Sequence, residues 1–220
     1  MGFSLIVFDC DGVLLESVAV KTDAFRNLFL EHGMNAAERM ITYHLAHGGV
    51  SRFQKFAWFH REVLGRTITP DEERALNQRF MGLCLSGVLA APFVPGIIDF
   101  LEEWHQRLPL YIASGTPDEE LKEIIAKRDL NHFFQGVHGT PPDKTALLAG
   151  IVERAGVSPG KTLMVGDSST DLDAALSVGT WFYGRGMESG RPGDGSGDDM
   201  HGLSGFVLQV SEAPEQEQED

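Results

Sequence analysis

A short apolar run near the N-terminus ends abruptly in two carboxylates, and it constrains the fold more than any other feature. Leu5–Phe8 is followed by Asp9, Cys10, Asp11 and Gly12. An apolar run of this length is typical of a strand buried on both faces in a parallel sheet. Open α/β sheets place their functional sites beyond the carboxyl ends of such strands. The run therefore predicts a central strand that carries acidic chemistry at its tip.

The two acids of this segment are too close together to be ionised without compensation. Crowding of two carboxylates raises one pKa, unless a divalent cation neutralises the pair. Asp9 and Asp11 therefore indicate either a shared proton or a bound magnesium ion. An ordinary turn is the alternative, because Asp and Gly both favour turns.

A second apolar run, Leu108–Ser114, is followed by Gly115, Thr116 and Pro117. Thr116 has the character of a helix N-cap, with Pro117 as the first helical residue and Glu119 as the capping-box partner. A helix that begins here would offer free amides and a positive dipole end to an anion such as phosphate. Taken alone, the segment also fits an ordinary strand-to-helix loop.

Two further polar clusters follow along the chain. Lys144 precedes a helical pattern over Thr145–Ala155, and the apolar run Thr162–Gly166 ends at Asp167. Asp171 lies four residues later, a spacing that can place it on the first turn of the next helix. The alternatives are a solvated surface lysine and a carboxylate that merely favours a helix start.

In chain order these segments read Asp-x-Asp-Gly, Ser-Gly-Thr, a lysine, and Gly-Asp-x-x-x-Asp. The combination resembles the four motifs of the haloacid dehalogenase-like hydrolase superfamily, over nearly the whole chain to about Gly184. The chain is most similar to the phosphoglycolate phosphatase and β-phosphoglucomutase branch, through Phe8–Leu14 and Gly49–Arg52. The resemblance implies an α/β fold, with a Rossmann-like three-layer core, a central mostly parallel sheet and an inserted helical cap domain.

The resemblance also implies roles for the matched residues. Asp9 would be the nucleophile that attacks phosphorus and forms an aspartyl-phosphate. Asp11 would protonate the leaving oxygen and then take a proton from the hydrolytic water. The transferring phosphoryl group would be bound by Ser114, Gly115, Thr116 and Lys144.

Magnesium is the cofactor that the resemblance implies. The carboxylates of Asp9 and Asp167 and the backbone carbonyl of Asp11 would hold the ion. Asp171 would lie just outside the metal ligands and would orient Lys144 or a water on the metal.

Between the first two motifs, residues 16–89 change from strand-like to helical character. Apolar residues recur there at helical spacing, and Thr69, Pro70 and Glu72 predict a capping box at the start of the last helix. We expect four or five helices that form a cap over residues 16–89, with residues 1–15 and 90–210 as the core domain. The phenylalanines of this segment are expected to fill the interior of the cap rather than to stack on substrate.

One segment of the predicted cap, His47–Arg52, has a candidate binding role. Its paired glycines and the Ser-Arg that follows predict a loop and then a helix start, and in the resembling branch this loop reaches the substrate. Arg52 could pair with a second phosphate or a carboxylate, because a guanidinium binds such groups through two parallel N–H groups, and Lys55 could assist. A surface arginine is the alternative.

Composition limits the partners and the compartment. The formal net charge of −14 argues against nucleic acid, since counterion release needs a basic surface. Two cysteines, Cys10 and Cys84, favour a reducing compartment over a disulfide scaffold, and we expect Cys10 to be a packing residue rather than a redox group. The N-terminus has no secretory signature, and no apolar run approaches membrane-spanning length. We expect a cytoplasmic protein with no membrane partner.

The C-terminal part has three segments of different character. The Gly-rich, acidic stretch Glu188–Asp199 predicts a mobile loop. Gly205–Val210 predicts a last strand. Residues 211–220 predict an acidic disordered tail.

These features favour a magnesium-dependent phosphatase that acts on a small phosphorylated metabolite, such as a phosphoglycolate-like or sugar-phosphate-like compound. A phosphosugar mutase of the β-phosphoglucomutase type would need the same residues, but the mutase branch more often has a Glu-Asp pair where Gly166 and Asp167 stand here. A haloacid dehalogenase usually lacks the second acid that Asp11 supplies. A catalytically silent binding protein on the same fold is the alternative from another class, although every matched catalytic position is filled.

Overall fold

The sheet of this protein is parallel throughout. The computed structural model describes residues 2–188 and 190–212, and in that part of the chain six strands are ordered β3-β2-β1-β4-β5-β6. Every pair of neighbouring strands is parallel. The strands are β1 (Leu5–Phe8), β2 (Leu110–Pro117), β3 (Gly136–Thr140), β4 (Thr162–Gly166), β5 (Trp181–Arg185) and β6 (Gly195–Gly197).

Helices connect most of the strands. The first four helices follow β1 along the chain: α1 (Val18–Phe29), α2 (Met34–Ala46), α3 (Arg52–Glu62) and α4 (Pro70–Ala90). The others are α5 (Ile97–Trp104), α6 (Asp118–Lys127), α7 (Lys144–Ala155), α8 (Ser169–Val178) and α9 (Leu203–Glu212). Among the described residues, no helix combines the length and the apolar character needed to cross a membrane.

Helices cover both faces of the sheet and make three layers. The side chains of β1 alternate: Ile6 and Phe8 pack into one apolar cluster with α5, α6 and α9, whereas Leu5 and Val7 pack into another with α7 and α8. A strand buried on both faces carries apolar residues at consecutive positions, as β1 does. This architecture confirms the predicted Rossmann-like α/β fold.

The sheet order determines where the polar motifs meet. β1 lies between β2 and β4, so the carboxyl ends of these three strands are neighbours. On one side of β1, the sheet continues with β2 and then β3. On the other side, it continues with β4 and then β5. Such a switch in strand order leaves a crevice at the strand ends.

Helices α1–α4 form an apolar interior made largely of phenylalanine. The buried rings of this interior belong to Phe25, Phe29, Phe56, Phe59 and Phe80. Close edge-to-face or tilted pairs such as Phe29–Phe59, with centroids 4.0 Å apart, stabilise the packing of α1 on α3. The expectation that these rings fill the interior of a helical segment is confirmed.

The predicted start of the helix after β2 was wrong by one residue. β2 continues through Pro117, and α6 begins at Asp118 with Pro117 in the N-cap position. Thr116 does not cap the helix, because its hydroxyl group is hydrogen-bonded to Asp11 and Lys21 instead. A tertiary contact thus replaces the local cap that the sequence favours.

The predicted last strand is a helix. α9 places Leu203 and Val207, one turn apart, in the apolar core, and Phe206 packs against Tyr183 with ring centroids 5.5 Å apart. Burial of one helical face therefore outweighs the strand propensity of this short apolar segment. The acidic stretch Glu188–Asp199 is also not a loop throughout, since it contains β6. Most of the predicted acidic tail, residues 213–220, lies outside the described residues.

The predicted capping box of α4 is present, and its contribution to the stability of the protein can be tested. The Glu72 amide donates to Thr69 Oγ1 at 3.3 Å, and the Thr69 amide donates to the Glu72 carboxylate at 2.9 Å. Thr69→Ala leaves an amide of the first turn without its partner and is expected to lower the free energy of unfolding by about 1 kcal/mol. Urea unfolding measures the change. Thr67→Ala, two residues earlier and also exposed, is the control, and an equal loss in both variants would contradict the capping role.

Candidate active site

Asp9 lies at the centre of the crevice, directly after the central strand. Its side chain is 3 % exposed, and its amide donates to the Val165 carbonyl of β4 at 2.9 Å. Asp9 Oδ2 is 2.9 Å from Lys144 Nζ, whereas the buried Oδ1 has no hydrogen-bond partner within the described part of the chain. A buried carboxylate oxygen without a partner is costly, so this atom is suited to bind a ligand.

Lys144 joins Asp9 to Asp171 beneath the strand ends. The ammonium group is 2.5 Å from Asp171 Oδ1, and all three side chains are buried. Although burial opposes the charge, Asp171 and Asp9 raise the pKa of Lys144. Lys144 is the first residue of α7, and the Asp143 side chain caps that helix by accepting from the Ala146 amide. The alternative of a solvated lysine is therefore excluded.

Asp167 and Asp171 approach Asp9 from the end of β4. Each of the three carboxylates contributes an oxygen that lies within 4.8 Å of the others. Burial, with the charges of Asp171 and Asp11, raises the pKa of Asp9 to about 6 against the pull of Lys144. Burial and the charges of Asp9 and Asp171 raise the pKa of Asp167 to about 8. The single positive charge of Lys144 therefore does not neutralise the three carboxylates of this cluster.

The donor set of this cluster fits a hard divalent cation such as Mg²⁺. Oxygen ligands and clustered carboxylates are what such ions prefer, and Asp9 Oδ1 is available. Asp171 is less available, because Oδ1 accepts from Lys144 and Oδ2 accepts from the hydroxyl group of Ser168 at 2.5 Å and from its amide at 3.2 Å. Asp9 and Asp167 are therefore the better ligands, and Asp171 is better placed to orient Lys144.

Asp11 lies in a separate hydrogen-bond network. Its Oδ1 accepts from Ser17 Oγ at 2.6 Å, and its Oδ2 accepts from Lys21 Nζ at 2.5 Å and from Thr116 Oγ1 at 3.1 Å. Burial alone would raise the pKa of Asp11, but the Lys21 charge and these three hydrogen bonds lower it. The two acids of the motif are thus held in different electrostatic environments one residue apart.

The loop after β1 is held in place by Arg185, which lies at the carboxyl end of β5, two strands away in the sheet. Gly12 has a φ of +78°, and a Cβ there would collide with the Asp167 carboxylate, so only glycine fits. Arg185, at the end of β5, donates to the Gly12 carbonyl at 2.8 Å and binds the Glu16 carboxylate through both terminal nitrogens. Its Nε also donates to the Asp198 carbonyl at 3.1 Å.

The loop between α2 and α3 packs directly on the strand ends. Thr170 Oγ1 donates to the Gly48 carbonyl, and a Cβ on Gly115 would overlap the Gly49 carbonyl. The Gly115 backbone therefore touches the backbone of the helical segment. Between them lies a cavity of about 440 Å³ that both Asp9 and Asp11 line.

The structure brings most of the predicted site residues to this cavity. Those that line it directly are Asp9, Asp11, Arg52, Ser114, Gly115, Thr116 and Asp167, and Lys144 and Asp171 lie immediately behind Asp9. Ser114 Oγ accepts from the Thr116 amide at 3.3 Å, and both side chains are buried. Arg52 is buried rather than on the surface and forms an ion pair with Glu120 of α6. Its contribution to substrate binding stays a prediction.

Several residues of the site were missed by sequence reasoning. Lys21 contacts Asp11 from α1, and Arg185 and Glu120 act on the motifs from distant parts of the chain. Lys21 lies ten residues after Asp11 without a motif of its own, and only the packing of α1 brings it close. Cys10 is buried, and its thiol has a pKa raised by burial and by the Asp11 charge, which keeps it protonated and fits the packing role.

Comparison with known proteins gives the family of this site. The family model described as haloacid dehalogenase-like hydrolase matches residues 3–179, which include every motif described above. The chain belongs to the haloacid dehalogenase-like hydrolase family. Its membership confirms the resemblance inferred from the four motifs.

The relatives of this hydrolase include phosphatases of small compounds. A phosphoglycolate phosphatase from Pseudomonas putida is 27 % identical over 204 residues, which cover 86 % of this chain and 72 % of that protein. A fructose-1-phosphate phosphatase from Escherichia coli is 24 % identical and covers 79 % and 92 % of the two chains. A putative β-phosphoglucomutase from Bacteroides vulgatus has the same fold, with a TM-score of 0.76 at 14 % identity, over 96 % of this chain and 91 % of that chain.

The carboxylate cluster of this hydrolase predicts a decrease of stability with rising pH in the absence of metal. The folded pKa values of Asp9 and Asp167, about 6 and about 8, lie above their ordinary value of 3.8. The folded protein therefore keeps protons that the unfolded chain has released, so the stability that these two groups contribute is fully present below about pH 4 and is lost as the pH rises from about 4 to about 8. Asp167→Asn should remove the contribution of Asp167 to this decrease in stability, which is roughly a few kcal/mol between about pH 5 and pH 8.

Urea unfolding at several pH values in a chelator measures this effect. Asp173→Asn, an exposed acid on the same helix as Asp171, is the matched control and should keep the wild-type pH dependence. An unchanged pH dependence in Asp167→Asn would show that the cluster is not the cause.

Proposed function

We propose that this hydrolase is a magnesium-dependent phosphatase that hydrolyses a small phosphorylated metabolite through an aspartyl-phosphate on Asp9. The observation that carries the proposal is the buried Asp9 carboxylate at the wall of the cavity, paired through Oδ2 with Lys144 and without a hydrogen-bond partner at Oδ1 among the described residues. The phosphatase names of its relatives support the same reaction.

The two acids of the first motif suit the two halves of the reaction. In the first half, an Asp9 oxygen forms a bond to phosphorus while the ester bond breaks, and Asp11 gives its proton to the leaving oxygen. In the second half, a water oxygen attacks phosphorus, Asp11 takes the water's proton, and the bond to Asp9 breaks. Phosphate is released, and Asp9 and Asp11 are restored.

The hydrogen bonds of Asp11 influence its protonation state in each half of the reaction. Lys21, Ser17 and Thr116 stabilise the ionised form, which is the base that the second half needs. A bound phosphoryl group brings negative charge close to Asp11 and raises its pKa, which favours the protonated form for the first half. Lys21 therefore tunes Asp11 as well as positioning it.

The remaining residues bind the phosphoryl group and the cofactor. In this proposal Lys144 and Ser114 hold phosphoryl oxygens, and the amides of Gly115 and Thr116 add hydrogen bonds. Asp9, Asp167 and the carbonyl of Asp11 would hold Mg²⁺, which when bound neutralises the clustered carboxylates and polarises a phosphoryl oxygen.

We further propose that residues 16–89 act as a cap. Helices α1–α4 supply the wall of the cavity opposite the sheet, and the Gly48–Gly49 loop contacts the strand ends. Such a cover excludes bulk water, so that the electrostatic contacts to the phosphoryl group act in a low dielectric.

The test is phosphate release from a panel of small phosphate esters, with Mg²⁺ or with a chelator. Wild-type turnover should require Mg²⁺, Asp9→Asn should abolish it, and Asp11→Asn should lower it about 10²- to 10⁴-fold. Asp173→Asn, on the exposed face of α8, is the control and should retain activity.

Acid quenching during turnover, followed by mass spectrometry, should find a phosphoryl group on the peptide that contains Asp9. Activity that survives in Asp9→Asn would contradict the mechanism. Isomerisation of glucose 1-phosphate in the presence of its 1,6-bisphosphate, without phosphate release, would assign a mutase instead.

A further inference from the structure

One cationic side chain on the cavity wall lacks the carboxylate that its neighbours have. Three of the buried cations are paired: Lys21 with Asp11, Lys144 with Asp9 and Asp171, and Arg52 with Glu120. Lys55 of α3 also lines the cavity and is only 3 % exposed. Within residues 2–188 and 190–212, no carboxylate lies within 4.0 Å of Lys55 Nζ, and the charge of Lys55 is uncompensated there.

The hydrogen bonds around His44 show how Lys55 is held. Thr22 Oγ1 donates to the Val18 carbonyl at 2.8 Å, so it can only accept from His44 Nε2, which is 3.1 Å away. His44 Nδ1 is then the lone-pair nitrogen, and it accepts from Lys55 Nζ at 2.9 Å. Burial and the charge of Lys55 lower the pKa of His44 to about 3, which keeps the ring neutral.

This arrangement leaves the ammonium group oriented but only partly satisfied. An ammonium group has three N–H donors, and His44 accepts one of them. Nζ also lies over the face of Phe25, whose centroid is 5.6 Å away. A buried ammonium in such surroundings is unfavourable, and burial lowers the pKa of Lys55 to about 7. A ligand anion would remove this cost.

We propose that Lys55 binds a carboxylate at the end of the substrate opposite its phosphoryl group, and that His44 is the positioning residue for this contact. The inference rests on the proposed phosphatase function and names the class of its substrate. A carboxylate fits better than a second phosphate, because its single negative charge matches the single charge of Lys55, which no described carboxylate pairs with. Arg52 does not offer the same site, since Glu120 already matches its charge.

The test compares two substrates that differ only in the charge at this end, namely 2-phosphoglycolate and its primary amide. Wild type should have the higher kcat/KM for the carboxylate. In Lys55→Met, the carboxylate-to-amide ratio of kcat/KM should fall about 10- to 100-fold, the loss expected for a charged hydrogen bond. Lys127→Met removes an exposed lysine of α6 and should keep the wild-type ratio. An unchanged ratio in Lys55→Met, or equal kcat/KM for both substrates in wild type, would overturn the proposal.

Thermal unfolding separates a binding role from a structural one. Removal of an uncompensated buried charge should raise the melting temperature of ligand-free Lys55→Met below pH 7, where Lys55 is mostly protonated, whereas loss of a supporting contact would lower it. Lys55→Gln, which is neutral but still able to hydrogen-bond, provides a second variant if the methionine variant does not fold. It should show the same fall in the carboxylate-to-amide ratio, and retention of the wild-type ratio would refute the charge pairing.

A binding measurement keeps this inference separate from the proposed catalysis. Calorimetry with Mg²⁺ in the Asp9→Asn background compares the two compounds without turnover. Tighter binding of the carboxylate, lost when Lys55→Met is added, would support the site even if wild type released no phosphate from any ester. Equal affinity for the two compounds would reject it even if the phosphatase function held.

Discussion

A single buried ammonium group, that of Lys144, makes the rest of the site possible. It is the shared partner of Asp9 and Asp171, and without it three carboxylates would lie together in the crevice with no protein cation beside them. Burial, together with the repulsion among carboxylates that one positive charge does not cancel, raises the pKa values of Asp9 and Asp167. The residues of this cluster fit a divalent cation, which would complete the charge balance of the site.

Much of the fold, and the grouping of the candidate site residues at the strand ends, followed from local sequence. Asp9, Asp167 and Lys144 stand directly at strand ends or at a helix start, and the parallel order of β1, β2 and β4 brings them together. The sequence signal was strong because each acid ended an apolar run, and because glycine at position 12 is required where the backbone turns beside Asp167. Local patterns of this kind depend on a few consecutive residues.

Contacts between distant segments were not predictable in the same way. Thr116 favours a helix cap by itself, but the hydroxyl group is taken by Asp11 and Lys21. Gly205–Val210 has strand propensity, yet burial of one face makes it part of α9. The neutral His44 beside Lys55 likewise depends on how three helices pack. In each case tertiary packing outweighed a weak local preference.

The ion pair of Arg52 with Glu120 has a kinetic consequence. It joins α3, on the helical side of the cavity, to α6 of the sheet layer, and both side chains are almost completely buried. Any movement that separates these two helices to admit a substrate must break the pair and hydrate both charges in the same event. Partly separated states would carry two charges that are neither paired nor hydrated, so they are disfavoured. Any opening of this cavity between α3 and α6 would therefore require the whole ion pair to be lost in one step.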